Sequence, residues 1–210
     1  MAFKPGSFFT LLIVCPTCFF LGIIFSLFPY DYPILWSTAP TPASHFDYLE
    51  AHLRFLHASP PLIPRMLHIV IFVGLAALVG KLYKPTESNM LFDGASLVLY
   101  MCGITVYIAN IVKGLRLVSE GRYGAELAQE EQVGGSWTGG TEGGEQILNR
   151  EDSLKVLSAS NTILALVLVG VLVLQAGQWY ADRKAVQEAE LLDGKEREEK
   201  SKAGGKKKST

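Results

Sequence analysis

The chain has 210 residues, of which 49% are hydrophobic and 19% are charged, and its formal net charge is −1 at pH 7. A nearly neutral chain lacks the excess of basic residues that nucleic-acid binding requires, so we expect no nucleic-acid partner. The charges collect in a few polar stretches and leave long uncharged stretches between them. This segregation predicts an all-α membrane protein, in which each long uncharged stretch crosses the lipid bilayer.

The first uncharged stretch predicts a transmembrane helix at residues 8–28, after a short N-terminal segment, residues 1–7. About 20 apolar residues in a helix cross a hydrocarbon core of roughly 30 Å. A single lysine, Lys4, before the apolar stretch is also typical of a signal peptide. However, the stretch is longer than the apolar core of a signal peptide and lacks a small-residue cleavage site, which favours a retained membrane anchor. Residues 29–33, Pro-Tyr-Asp-Tyr-Pro, are expected to break the helix.

The cysteines of the chain invite a redox interpretation. Cys15-Pro-Thr-Cys18 has the spacing of a thioredoxin-type pair. Such a pair works where thiolate is stabilised, and hydrocarbon disfavours thiolate. We therefore interpret these residues as apolar packing with a proline kink. Cys102 also lies in an apolar stretch, so no disulfide framework is predicted.

The predicted loop at residues 29–63 contains a short amphipathic helix at residues 44–57. Ser44 and Asp47 match a capping box at its start. Apolar residues then recur at helical spacing, which predicts one buried stripe: Phe46, Leu49, Leu53 and Leu56. We expect this helix to lie on the membrane or on the bundle.

Three histidines on or near this helix suggest a metal site. His45, His52 and His57 are separated by seven and five residues, and no cysteine accompanies them. This spacing matches no common metal-binding pattern. We therefore interpret them as histidines of the polar face and predict neither a metal nor a cofactor.

Residues 64–82 and 93–112 are predicted to form the second and third spans. A polar turn at residues 83–92 joins them, so the two spans form an antiparallel hairpin. Lys81 is expected to extend its ammonium group out of the lipid. Asp93 fits the start of the third helix, where a carboxylate suits the helix dipole.

The last span, residues 156–181, is the most strongly apolar part of the chain. Its centre is apolar on every side, as only a buried or membrane helix can be, and Trp179 and Tyr180 near its end suit the headgroup level. The preceding loop, residues 113–155, contains a glycine-rich linker at residues 134–144 to which we assign no structure.

The tail, residues 182–210, is highly charged and is predicted to be disordered. Lys207 and Lys208 are the fourth and third residues from its carboxyl end, where they resemble a dilysine ER retrieval signal. Such a signal operates only in the cytosol. Four spans place both termini on one side, and a slight excess of Lys and Arg on that side favours the cytosol.

A series of short motifs runs in order along the chain: Pro29-Tyr30-Asp31-Tyr32, His45-Phe46-Asp47, Leu91-Phe92-Asp93, Ala159-Ser160-Asn161 and Gly177-Gln178-Trp179-Tyr180. Together they resemble the fungal ER packaging chaperones for amino acid permeases. The resemblance covers about residues 8–181. The glycine-rich loop looks like an insertion, and the tail matches in character only.

The resemblance implies a non-enzymatic, four-span ER membrane protein with a lumenal amphipathic helix and cytosolic termini. It implies that the chain helps newly inserted amino acid permeases to fold, prevents their aggregation and promotes their packaging into transport vesicles. The implied partners are the permeases, the lipid bilayer and, through the tail, the vesicle coat.

Small residues and amides within the spans are the predicted contacts with a permease, because they satisfy exposed polar groups in lipid by weak bonds of about 0.6–2 kcal/mol each. These residues are Gly74, Gly80, Asn110, Asn161, Gly170 and Gln175. Packing within the bundle explains the same residues.

A small transporter or a membrane scaffold remains an alternative, although no internal repeat indicates a transporter. Asp93 and His68 lack evident partners for intramembrane catalysis, so we predict no enzyme and no catalytic residue.

Overall fold

The computed structural model describes residues 5–38, 40–83, 87–121, 123 and 149–206. The glycine-rich linker at 134–144 and the dilysine pair Lys207 and Lys208 lie outside these residues. The helices are α1 (Pro5–Leu35), α2 (Ala43–His57), α3 (Leu62–Leu82), α4 (Glu87–Val106), the π segment (Tyr107–Val112), α5 (Lys113–Glu120) and α6 (Arg150–Lys206). The π segment joins α4 to α5 without a break.

Four helical stretches in the described part of the chain are long and apolar enough to cross a membrane: Phe8–Leu35, Leu62–Leu82, Met90–Glu120 and Arg150–Lys195. Large apolar side chains point outward from them, among them Phe25, Phe72 and Leu166, which are 76%, 69% and 67% exposed. Such surfaces suit lipid, in which apolar side chains need no burial. The prediction of an all-α membrane protein with four spanning helices is confirmed.

Two clusters of buried side chains hold the bundle together. One joins α1, α3, α4 and α6 towards the end where α3 meets α4, which we call the hairpin end; it includes Ile13, Leu78 and Val171. The other extends to the opposite end, the loop end, where α2 and α5 cover the bundle. Its members are Phe20, Phe46, Leu49, Leu53, Ile111, Val118, Leu154, Leu157, Leu164 and Leu168.

The break predicted at residues 29–33 was wrong, because α1 continues through Pro29 and Pro33 to Leu35. Each proline removes the backbone donor to the carbonyl four residues earlier, but the rest of the helix continues around it. Two side chains from the loop end contact other carbonyls in the last turns of α1. The His45 ring donates to the Tyr30 carbonyl at 2.8 Å, and the Thr41 hydroxyl donates to the Pro33 carbonyl at 3.0 Å.

The amphipathic helix forms as α2, with two differences from its prediction. Pro42, not Ser44, occupies the N-cap position, and no side chain caps the helix. Phe46, Leu49 and Leu53 are buried, whereas Leu56 is 37% exposed at the end of the helix. The buried stripe therefore covers the first three turns, which lie on the bundle.

Helical structure also extends into two polar segments for which none was predicted: the last loop and the tail. The predicted loop at 113–155 begins with α5, because Leu115 and Val118 pack into the loop-end cluster; Gly121, with φ 67°, then ends the helix in the left-handed conformation. The predicted disorder of the tail differs from the structure, since α6 continues to Lys206. No proline interrupts this stretch, and Arg183 lies over the Trp179 ring at 4.4 Å.

Candidate functional site

A buried ion pair lies at the hairpin end of the bundle. Lys81 Nζ is 3.0 Å from Asp93 Oδ1, and the two side chains are 8% and 0% exposed. Both predictions for these residues were therefore wrong. Lys81 turns inward rather than out of the lipid, and Asp93 lies in the second turn of α4, which starts at Glu87. Each charge is neutralised by the other, which is how a membrane interior tolerates them.

Two glutamines of α6 complete this hairpin-end cluster. Lys81 Nζ donates to Gln175 Oε1 at 2.9 Å and to Gln178 Oε1 at 2.5 Å. Gln175 Nε2 donates to Asp93 Oδ1 at 3.1 Å and to Ser96 Oγ at 3.0 Å, and Gln178 Nε2 donates to Asp93 Oδ2 at 2.9 Å. A spacing of three residues places both amides on one face of α6. The cluster therefore ties α3, α4 and α6 together.

A second charged cluster fastens α2 at the loop end. Arg150, the first residue of α6, lies 2.6 Å from Asp47 Oδ1 and 2.5 Å from Glu50 Oε2. Arg54 pairs with Glu50 at 2.6 Å, and its Nε donates to the Val118 carbonyl at 3.2 Å. Burial, followed by the nearby Glu50 carboxylate, raises the pKa of Tyr123 above its ordinary value of 10, so this phenol stays neutral.

Three further polar side chains join α1 to its neighbours at the same end. Asn161 Nδ2 donates to Asp31 Oδ2 at 3.0 Å, and both residues are buried. His52 stacks on Tyr30 with ring centroids 4.3 Å apart. His45, which bonds the Tyr30 carbonyl, and His52 therefore contact α1. No group of three or more metal-ligating side chains occurs in the part of the chain that the structure describes.

The predicted small residues lie where helices approach closely. A Cβ added to Gly74 would collide with the Tyr100 hydroxyl, and one added to Gly80 would lie 2.9 Å from Phe9 Cε1. At Gly170 it would lie 3.2 Å from Leu99 Cδ1. These glycines, like Gln175 and Asn161, pack within the bundle itself.

Gly74→Ala is expected to destabilise the protein by about 1–3 kcal/mol, because the new methyl group must displace the Tyr100 ring and its hydrogen bond to the Ile71 carbonyl. The measurement is a denaturant titration in detergent micelles. Gly22→Ala is the control, since nothing lies within 4 Å of its added Cβ. Equal stability of the two variants would show that Gly74 is not a packing constraint.

Asn110 is the one predicted contact that the structure places on the lipid-facing surface. It lies in the π segment and is exposed. His68 on α3 is also exposed, and its ring meets Tyr107 edge-on with centroids 6.0 Å apart. The bundle thus satisfies most of its polar groups internally and presents these two polar side chains outward.

The fold and its internal polar clusters define a polytopic helical membrane protein rather than a soluble domain with a membrane anchor. A family model described as ER membrane protein SH3, of the SHR3 chaperone family, matches residues 5–210. The chain therefore belongs to this family of ER membrane chaperones, as its motifs indicated. No curated protein and no solved structure matches the chain.

Proposed function

We propose that this chain assists the folding of newly inserted amino acid permeases in the ER membrane, prevents their aggregation and promotes their packaging into ER-derived vesicles, without acting as an enzyme. The family match over residues 5–210 carries the proposal. The structure supports it with a bundle in which buried polar groups of the spanning helices bond one another. Its outward face meets a client directly in the bilayer.

A permease whose helices have not yet assembled exposes small and polar interface residues to lipid. Each hydrogen bond that a chaperone supplies there contributes only about 0.6–2 kcal/mol, so the contacts are reversible. Asn110 is exposed and is suited to direct contact. Gly74, Gly80, Gly170, Asn161 and Gln175 contribute indirectly in this proposal, because they hold the helices that form the outward face.

Cell-free synthesis of an amino acid permease into liposomes tests the chaperone activity. With this protein in the bilayer, we expect the permease to run as a discrete species on a native gel, and without it as aggregates. An unrelated polytopic membrane protein serves as the control cargo. Aggregation of the permease in both cases would contradict the proposal. Amino acid flux through proteoliposomes of this protein alone would instead support the alternative of a small transporter.

We also propose that the hairpin end and the tail face the cytosol, where the tail contacts the vesicle coat. An Asn-X-Ser acceptor placed within residues 134–144 is then expected to be glycosylated, and one placed after residue 206 is not. The reverse pattern would overturn this orientation.

In the cytosol, Lys207 and Lys208 act as a retrieval address. A Lys207→Ser/Lys208→Ser variant should then leave the ER, and unchanged residence would exclude that role.

A further inference from the structure

Two cation–π pairs lie side by side where α6 leaves the bundle at the hairpin end. The guanidinium carbon of Arg183 lies 4.4 Å from the centre of the Trp179 ring, and Lys184 Nζ lies 5.5 Å from the centre of the Tyr180 ring. The two aromatic side chains are 56% and 59% exposed. A spacing of four residues places each cation on the same side of the helix as its ring. These four side chains form one surface, which we call the cationic patch.

The cationic patch faces away from the other helices. Gln178, which precedes Trp179, is 1% exposed and bonds Lys81 and Asp93 inside the bundle. Successive residues of an α-helix are turned by roughly 100° from one another. Trp179 and Tyr180 therefore point away from the side of α6 that Gln178 turns towards the bundle.

The patch lies at the depth of the lipid headgroups. Lys155, which is exposed at the loop end, is the last charged residue before the apolar part of α6. Trp179 follows 24 residues later, which is a helical rise of about 36 Å, whereas the hydrocarbon core is roughly 30 Å thick. The rings of Trp and Tyr are typical of the layer just beyond that core.

Within α6, no acidic residue offsets the charge of Arg183. Side chains three and four positions apart are neighbours on a helix. For Arg183 these neighbours are Trp179, Tyr180, Val186 and Gln187. Lys184 has one acidic residue in the same range, Glu188. Arg183 is therefore the main group with which this helix face attracts an anion, and Lys184 is the second.

The chemistry of the patch selects an anionic headgroup over a zwitterionic one. A guanidinium and an ammonium group bind phosphate oxygens, and the indole N–H and phenol O–H add two donors at the ring edges. A choline group binds instead to aromatic faces, but each ring here already carries a cation of the protein itself. Glu188 and Glu190 follow in the next turn. The basic surface is thus about one turn deep, which suits a headgroup layer rather than an extended polyanion.

We propose that the cationic patch binds the headgroup phosphate of an anionic phospholipid and holds α6 at a fixed depth where it leaves the membrane. This lipid contact goes beyond the chaperone function and does not depend on it. One basic residue near an anionic membrane surface strengthens binding about fivefold, equivalent to about 1 kcal/mol. Because Glu188 offsets part of the charge of Lys184, we expect the pair to enrich an anionic lipid about tenfold.

Quenching of Trp179 fluorescence by brominated lipids tests the patch in the full-length chain. Trp36 and Trp137 are replaced by Phe, so that Trp179 is the only tryptophan. The protein is reconstituted in phosphatidylcholine vesicles that contain a small fixed fraction of brominated phosphatidylserine or brominated phosphatidylcholine. We expect the brominated phosphatidylserine to quench as though it were about tenfold enriched beside Trp179. Salt at about 1 M should remove most of this preference, since it shortens the Debye length to about 3 Å.

Two variants locate the preference on the helix. Arg183→Gln/Lys184→Gln removes both cations of the patch and should abolish the preference for phosphatidylserine. Lys195→Gln/Arg197→Gln is the matched control, because it removes the same charge from exposed positions further along α6 and should leave the preference intact. Circular dichroism verifies that each variant keeps its helical content.

Three results would overturn the proposal. Equal quenching by the two brominated lipids in the protein with an intact patch would show that the patch does not select an anionic lipid, as expected if it binds an acidic protein segment instead. A preference that survives in Arg183→Gln/Lys184→Gln would place the lipid contact elsewhere. An equal loss of preference in Lys195→Gln/Arg197→Gln would show that the overall charge of the tail, and not the patch, attracts the lipid.

Discussion

Lys81→Met is expected to destabilise the folded bundle by about 3–5 kcal/mol, the usual effect of removing one partner of a buried ion pair. The substitution leaves the Asp93 carboxylate, which is 0% exposed, without its countercharge. The Gln175 and Gln178 amides still donate to this carboxylate, but they also lose the ammonium group to which their own oxygens are bonded. The free energy of unfolding is measured by denaturant titration in detergent micelles.

Two further variants show whether the loss of stability in Lys81→Met arises from the burial of the ion pair. Lys155→Met removes an exposed pair, in which Lys155 and Asp152 are 46% and 55% exposed at 3.5 Å, and we expect a loss of at most about 1 kcal/mol. Lys81→Met/Asp93→Leu removes both buried charges and should regain a large part of the lost stability. A Lys81→Met protein as stable as the Lys155→Met protein would contradict this account of the cluster.

Arg150→Met is expected to loosen α2 on the bundle and to lower stability by about 1.5–2 kcal/mol, the lower part of the range for hydrogen bonds to charged groups. Arg150 bonds both Asp47 and Glu50, and the Glu50 side chain is only 11% exposed. The Arg150 side chain is itself 36% exposed, so water offsets part of the loss and the lower half of the range applies. Hydrogen exchange should increase across Ala43–His57.

The matched control for Arg150 is Arg197, which lies on the same helix and pairs with Asp193 at 3.8 Å; the two side chains are 83% and 73% exposed. Arg197→Met should leave the exchange of α2 unchanged. If Arg150→Met also left it unchanged, the apolar stripe of Phe46, Leu49 and Leu53 would be sufficient to hold α2 in place, and the ion pairs of Arg150 would have no role in docking.

The spanning helices could be predicted because lipid imposes a simple rule on composition. A stretch of about 20 uncharged, apolar residues has one stable solution in a bilayer. The stripe of α2 was likewise readable from spacing, since Phe46, Leu49 and Leu53 recur at intervals that only a helix brings to one face.

The polar contacts between helices could not be read from local patterns. Gln175 and Asn161 were recognised as polar groups in lipid, but their partners, Asp93 and Asp31, are distant in sequence. The Lys81–Asp93 pair did leave a signal. A lysine and an aspartate lie on either side of a short turn between two apolar spans, and a hairpin brings such residues together.

The continuation of α1 through Pro29 and Pro33 could not be predicted from residues 29–33 alone. Each proline removes one backbone hydrogen bond, and this pattern favours a break. In the structure His45 and Thr41, from outside α1, donate to the Tyr30 and Pro33 carbonyls and hold the last turns of the helix against α2 and the segment before it. No pattern within residues 29–33 indicates that docking.

The most direct test of the chaperone function is deletion of the gene for this protein in its host, followed by localisation of tagged amino acid permeases and of an unrelated polytopic membrane cargo. We expect the permeases to be retained and aggregated in the ER while the unrelated cargo reaches the cell surface, and we expect the restored gene to reverse the defect. Normal delivery of every cargo in the deletion strain would contradict the account, and equal retention of every cargo would contradict its selectivity for permeases.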